Sequence, residues 1–468
     1  MKFTFSRPTI LGAMLALALA FSLFPAKALA AARSQNGAIG INVLLKTAIT
    51  EAILTDLGKH GNVRDVIYEL KVVTLQAPSS ELNTIRQLPY VAAANPDAER
   101  KGAPTDSVAV TDFLNGISTW DMDAVNITNP GANNRQVSYD GTGVYVAVLD
   151  TGLLDSWRQY FPQERIAVEF AKSFSGGGGA GTVSDTTNQW EHDQNSHGTH
   201  VASTVLGYNF FGTPVNGVAP KATVIPVKVL NQSGFGWSSV IAHGIVYIAN
   251  LKAGQLANYP VVINMSLGGS TLDAVEKAAI DYAVSRGVII VAAAGNEGTA
   301  GMGYPGAYQP VISVAASGWT GEWLAGSDGV VGNWWWKDDV ADPTNTAQFY
   351  IADFSSRQKS GQDLDVAAPG SWTVGPYQVN SGQLSYYFLG GTSMASPHVA
   401  GIVALMAQKN HSLNAAQAES ILTKSAIPLA PGCRNVTDID GSPKQYCWGA
   451  DAMGSGLATA DKALKATP

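Results

Sequence analysis

Five runs of apolar residues recur between positions 144 and 315: Val144–Leu149, Thr223–Val229, Val261–Met265, Val288–Ala293 and Val311–Ala315. They lack the polar alternation of a strand with one wet face. They read as strands covered on both faces, as a parallel sheet requires. Helical stretches such as Ser239–Lys252 and Leu272–Ser285 lie between them. Alternating β and α of this kind predicts an α/β fold: a doubly wound parallel sheet with helices on both faces. With 46% hydrophobic and 14% charged residues in 468, a large core is within reach and general disorder is not expected. The net charge of −7 gives no basic footprint for nucleic acid. There is no internal repeat, and the one low-complexity patch is the flexible-looking run Gly176–Gly179.

Residues 1–30 read as a secretory signal peptide: Lys2 and Arg7 give a positive start, Ile10–Phe24 is apolar, and Ala28-Leu29-Ala30 suits a signal peptidase cut after Ala30. The competing reading, an uncleaved anchor, is weakened by the shortness of the run. No later segment has about eighteen unbroken apolar residues. The expectation is export to the extracellular space or periplasm, with no membrane attachment after signal removal.

Residues 31–102 carry a different pattern. Thr47–Leu57 places Ile49, Ile53, Leu54 and Leu57 at helical spacing before Gly58; Val66, Tyr68, Leu70 and Val72 alternate as a half-buried strand. Ser79-Ser80-Glu81 opens a second helix ended by Pro89, and Val91–Ala94 forms a closing strand. Together they predict a small α+β domain. Residues 103–140 are irregular and polar, and 141–468 hold the α/β body.

Three local signals in the body carry chemistry. Asp150 ends an apolar strand before Thr151 and Gly152, where open α/β sheets build their sites. In Asn195-Ser196-His197-Gly198-Thr199-His200, His197 starts a helix of small residues that another element can approach. In Gly390-Gly391-Thr392-Ser393-Met394-Ala395-Ser396-Pro397, a serine follows two glycines at a helix N-terminus, where its own N–H is a ready oxyanion donor. Each motif alone has an ordinary structural explanation, such as a strand end, a packing histidine or a helix cap. Together they supply a nucleophile, a base and an orienting carboxylate in the order Asp, His, Ser.

The segments around Asp150, His197 and Ser393 resemble the active-site signatures of the subtilisin family of serine proteases, over about Gly141 to Leu457. The resemblance implies an endopeptidase acting through an acyl-enzyme with no cofactor required, and a catalytic Asn296 from Ala292-Ala293-Ala294-Gly295-Asn296 as oxyanion donor. It implies that extended protein or peptide substrates add as a strand between Ser266-Leu267-Gly268 and Gly234-Phe235-Gly236. Gly295, Glu297 and Gly303 correspond to the walls and base of the pocket for P1, the residue preceding the scissile bond. A glycine base implies room for large apolar P1 residues, and Glu297 at the rim leaves a basic one open. Residues 31–102 resemble the family's propeptide, which aids folding and then blocks the cleft; self-cleavage is expected between about Arg100 and Gly116. A monomer is expected.

The chain departs from the compact family pattern in several places. Asp150 and His197 are 47 positions apart. Residues 319–353 form an insertion with Trp319, Trp323, Trp334, Trp335 and Trp336, which reads as packing onto the body in preference to a binding surface. The loop Gly207–Gly212, where family members often bind calcium, offers one amide and no carboxylate. Structural calcium therefore has no identifiable ligands, and the metal question stays open. The two cysteines, Cys433 and Cys447, are expected to form a local disulfide, with two free thiols as the alternative. Asn435-Val436-Thr437 is a glycosylation acceptor only in a eukaryotic host. Two rival functions remain: a zinc hydrolase using His192, His197 and His200, and an inactive binding protein of the same fold, disfavoured because no triad member is missing.

Overall fold

The computed structural model describes residues 37–102, 106–109, 118–128, 135–325, 331, 334–337, 340, 342–380 and 382–468. The expected signal peptide lies outside these residues, as does much of the expected processing junction.

The chain opens with a small unit of β1 (Ala38–Leu45), α1 (Glu51–Leu57), β2 (Asn62–Ile67), β3 (Val72–Pro78), α2 (Glu81–Arg86) and β4 (Val91–Pro96). The strands pair antiparallel in the order β2-β3-β1-β4. Ile41, Val43 and Leu75 from the sheet meet Leu57 and Ile85 from the helices in one core. Helix α1 starts later than its apolar spacing suggests because Thr50 caps it, accepting from Ile53 N at 3.3 Å. The alternation over Val66–Val72 predicts one strand, yet the chain reverses through a tight turn at Tyr68–Leu70, with Lys71 left-handed at φ 58°. Val66 and Val73 then face each other across β2 and β3. The period of two continues on both sides of the turn, so it could not reveal the turn.

The body follows with β5 (Glu99–Lys101), β6 (Tyr145–Asp150), α3 (His197–Leu206), β7 (Thr223–Lys228), β8 (Phe235–Trp237), α4 (Ser238–Ala253), β9 (Val261–Met265), α5 (Ala274–Ser285), β10 (Val288–Ala293), β11 (Ile312–Trp319), β12 (Val366–Pro369) and α6 (Thr392–Lys409). The central sheet runs β11-β10-β9-β6-β7, all parallel, with β12 also parallel to β11. Antiparallel segments Phe349–Ile351 and Val183–Asp185 lie toward its edges. Along β6, Val146 and Val148 pack with Val201 of α3 and Val399 of α6. Ala147 and Leu149 face the other way, onto Ile241 of α4 and Ala279 of α5. This two-sided burial is why the strands are unbroken apolar runs, and it is the doubly wound α/β fold that the alternation predicts. From β6 the chain builds β7 on one side and β9 on the other, a switch point that opens a crevice at the carboxyl ends of the strands.

Part of the expected junction belongs to the body. Asp106–Ala109 pairs with Tyr386–Gly390, and Trp120, Met122, Val125 and Ile127 are buried in the body's core. A helix of one turn, Trp120–Ala124, is too short to show periodicity in sequence. All five tryptophans of the 319–353 insertion are buried: Trp319 stacks near Trp120 at 6.5 Å and Trp334 on Phe388 at 5.3 Å. They pack the insertion onto the body. Residues 207–216 form a hairpin whose Phe210 packs on Tyr386 at 4.7 Å. Cys433 and Cys447 sit opposite one another on a second hairpin and are disulfide-bonded. Among the described residues, no helix is long and apolar enough to cross a membrane.

Candidate active site

Asp150 is the last residue of β6 and is fully buried. Its Oδ1 accepts from Thr151 N at 2.7 Å and from His197 Nδ1 at 2.8 Å, which fixes the imidazole and leaves Nε2 as the ring nitrogen with no hydrogen-bond partner among the described residues. His197 is the first residue of α3. Gly198 permits this approach: a Cβ there would lie 2.4 Å from Gly152 O and 3.2 Å from Asp150 Cβ. Gly198 N also donates to Thr151 Oγ1 at 2.8 Å, so the strand end and the helix start are joined beside the Asp–His pair.

The turn before His197 is held by a residue that no motif reveals. Asp193 Oδ1 accepts from Asn195 N and Ser196 N, each at 2.9 Å, and holds Ser196 left-handed at φ 76°. Burial raises the Asp193 carboxyl to about 6 against the pull of Lys228 and these backbone donors. His200, one turn on, donates from Nε2 to Thr373 O at 3.1 Å, and burial, with His197 beside it, lowers its imidazole to about 3. His192 is bound to Asp155 at 2.9 Å. The three histidines of the zinc alternative thus engage three separate partners and do not converge. Among the described residues, the carboxylates that do gather are Asp363, Asp365 and Glu419, with ligand oxygens within 4.8 Å of one another.

Ser393 is the second residue of α6, in the first turn, where backbone N–H groups have no partner within the helix. Its Oγ donates to Ser266 O at 3.2 Å, while Ser266 Oγ donates to Ser393 O at 2.7 Å. Asn296 follows the carboxyl end of β10. Its Oδ1 accepts from Thr392 N and Thr392 Oγ1, both at 2.9 Å. With the oxygen anchored, the Nδ2 amide is the end available to the cleft beside Ser393. Thr392 is a second contributor that sequence alone does not single out.

A cleft of about 300 Å³ is lined by Leu267, Gly268, Gly295, Asn296, Glu297, Gly303, Thr392 and Ser393. The expected pocket residues do converge: a Cβ on Gly295 would lie 2.5 Å from Glu297 Oε2 and 3.0 Å from Gly303 N. Glu297 is turned onto Ser356, whose hydroxyl donates to Oε2 at 3.0 Å.

The groove is filled by the chain itself. β5 pairs antiparallel with β8, Arg100 opposite Gly236 and Lys101 opposite Phe235. On its other side, Lys101 N donates to Gly268 O at 3.0 Å and accepts Gly268 N at its carbonyl at 2.9 Å. Gly102 N donates to Gly234 O at 2.9 Å. A Cβ on Gly102 would lie 3.4 Å from His197 Cε1 and 2.8 Å from Ser266 O, so the strand ends against His197 and the carbonyl that holds Ser393. Upstream, Asp97 seats the small unit on the start of α4: its Oδ1 accepts from Ser239 N at 3.0 Å and Ser238 Oγ at 2.8 Å.

The subtilase family profile matches residues 141–449. The chain is 35% identical to subtilisin DY of Bacillus licheniformis over 62% of its own length and 86% of that protein. It is 31% identical to a thermostable alkaline protease of Halalkalibacterium halodurans over 86% of both chains. Among solved structures it resembles fervidolysin from Fervidobacterium pennivorans, a keratinolytic enzyme related to subtilisin. The TM-score is 0.64 at 22% identity, covering 92% of this chain and 62% of that one. That likeness concerns fold alone. Sphericase, at 28% identity and TM-score 0.52, covers 75% of this chain and 99% of its own. A family profile over most of the body and a relative matched along most of both chains place the protein in one group: the chain belongs to the subtilase family of serine endopeptidases.

Proposed function

We propose that the protein is a secreted endopeptidase made as a self-processing precursor, with Ser393 as nucleophile, His197 as general base and acid, Asp150 as its orienting partner and Asn296 as oxyanion donor. His197 takes the Ser393 proton as Oγ attacks the substrate carbonyl, then returns it to the leaving amine. The developing oxyanion is met by Asn296 Nδ2 and Ser393 N. Water repeats the sequence to release the acyl group. Nucleophile, base and donors all come from the chain, so this chemistry asks for no cofactor.

Residues 1–30 are assigned as signal peptide, 31–102 as an inhibitory propeptide, 103–140 as junction and N-terminal segment, and 141–468 as the peptidase domain, acting as a monomer. Extended polypeptide is the substrate, with large apolar P1 residues preferred in the pocket of Gly295, Glu297 and Gly303. The observation that carries this reading is the strand of residues 99–102 between Phe235–Trp237 and Gly268, ending at His197. It is the posture of a bound substrate or of a product that has not left.

Replacement of Ser393 by Ala tests it. The variant is expected to accumulate as unprocessed precursor, to leave casein intact and to resist a serine-directed phosphonate. Wild-type processing or hydrolysis in that variant would overturn the assignment. N-terminal sequencing of the wild-type product locates the cut between about Arg100 and Gly116.

A further inference from the structure

Arg100 is a charged side chain with no exposed surface, held in the substrate groove. Its guanidinium meets the equally buried carboxylate of Glu276, on α5, through Nε at 3.0 and 3.1 Å and through Nη2. Nη2 also donates to Thr271 O at 3.1 Å, and Nη1 to Glu99 O at 2.9 Å. Asp273, the cap of α5, adds a further negative charge near the guanidinium. Gly269 makes room for it: a Cβ there would lie 3.1 Å from Arg100 Nη1.

Arg100 belongs to the strand in the groove, whereas Glu276, Thr271 and Asp273 belong to the body. Once that strand departs, the body keeps a pocket with a carboxylate at its base and a carbonyl beside it. An arginine supplies a charge and a planar fork of donors that answer both groups. A leucine there would leave the carboxylate without a counter-charge as the pocket closes around it, which is costly. Lys101 points to solvent while Arg100 and Gly102 are buried, the alternation of an extended strand. Lys101 exchanges both backbone bonds with Gly268 and Gly102 abuts His197, so a cut one residue past Gly102 would put Arg100 fourth before the scissile bond.

We propose that Glu276 is a specificity-determining residue that selects arginine, and next lysine, at the fourth position before the cut. This rests on the peptidase reading above and narrows its substrate class to polypeptides with a basic residue three places upstream of P1.

The test uses mature, processed enzyme and three substrates: acetyl-Arg-Ala-Gly-Phe p-nitroanilide, the same peptide with Leu in place of Arg, and the truncated acetyl-Ala-Gly-Phe p-nitroanilide. The expected kcat/KM for the Arg peptide exceeds that for the Leu peptide by about tenfold or more at low salt, with a Lys peptide between them. In Glu276→Leu the Arg-to-Leu ratio, each rate referred to the truncated peptide on the same enzyme, falls to one or below. If that variant does not fold, Glu276→Gln is expected to lower the ratio. A wild-type ratio of one or less, with the truncated peptide cleaved, overturns the proposal and leaves the peptidase reading standing. No turnover of any peptide and no phosphonate labelling of Ser393 overturns both.

Discussion

The hydroxyl of Ser393 donates to the carbonyl oxygen of Ser266 at 3.2 Å, and His197 Nε2 has no hydrogen-bond partner among the described residues. In the proposed mechanism the Ser393 hydroxyl leaves Ser266 O and hands its proton to His197 Nε2. Catalytic hydrogen bonds are often loose until substrate is bound. The imidazole of His197 is already held at Nδ1 by Asp150 at 2.8 Å. Asp150→Asn should therefore lower kcat by about 10⁴ by favouring the wrong tautomer, with KM within a few-fold of wild type. Steady-state kinetics on a short peptide ester checks this, and a kcat within tenfold of wild type would remove Asp150 from its role.

Asn296 is pinned by its oxygen to Thr392, so its amide can stabilise charge without reorganising. Asn296→Leu keeps the bulk and loses the donor. The expected loss is about 10²–10³ in kcat with little change in KM, because the donor acts on charge that develops only in the transition state. A loss confined to KM would reassign Asn296 to ground-state binding.

The body's fold was legible because both faces of its strands are buried, so that unbroken runs such as Val144–Leu149 recur between helical stretches. Asp150, His197 and Ser393 were legible as a set, since only their joint order distinguishes them from a strand end and two helix starts. What stayed hidden depends on tertiary contact. Arg100 and Glu276 are 176 positions apart, and neither sits in a pattern that names its partner. Asp193 works through two backbone N–H groups, which leave no trace in side-chain periodicity. The turn at Tyr68–Leu70 hid because the alternation runs through it, and Trp120–Ala124 because one turn is shorter than the helical signal.

The tryptophans of the insertion separate packing from binding by what their removal changes. Trp334 is 1% exposed and lies within 5.3 Å, ring to ring, of both Phe388 and Trp323. Trp334→Ala should destabilise the protein by about 3–5 kcal/mol through lost contacts and a cavity. Urea unfolding of the Ser393→Ala form, which cannot digest itself, gives that number. KM for short peptides at 25 °C should stay at the wild-type value, and a raised KM with unchanged stability would favour a binding surface after all.

Glu322 gives a pH dependence that belongs to one group. It is fully buried within the same insertion, with Oε1 accepting from Trp319 N at 3.0 Å and Oε2 against the hydroxyls of Tyr350 and Ser371. Burial pushes its carboxyl up from 4.5 to about 8, against hydrogen bonds that favour the charged form. Between those values the folded chain keeps a proton that the unfolded chain has released. The contribution to stability is whole below about pH 4.5 and is lost as pH rises toward 8, by about 1.4 kcal/mol for each pH unit. Glu322→Gln does not titrate there, so its unfolding free energy should gain on that of the parent steadily from pH 5 to 8. Other ionisable groups are common to both proteins and cancel in the difference. Paired urea titrations of the two in the Ser393→Ala background measure it, and a difference that stays flat over that range would mean Glu322 is already ionised in the folded protein.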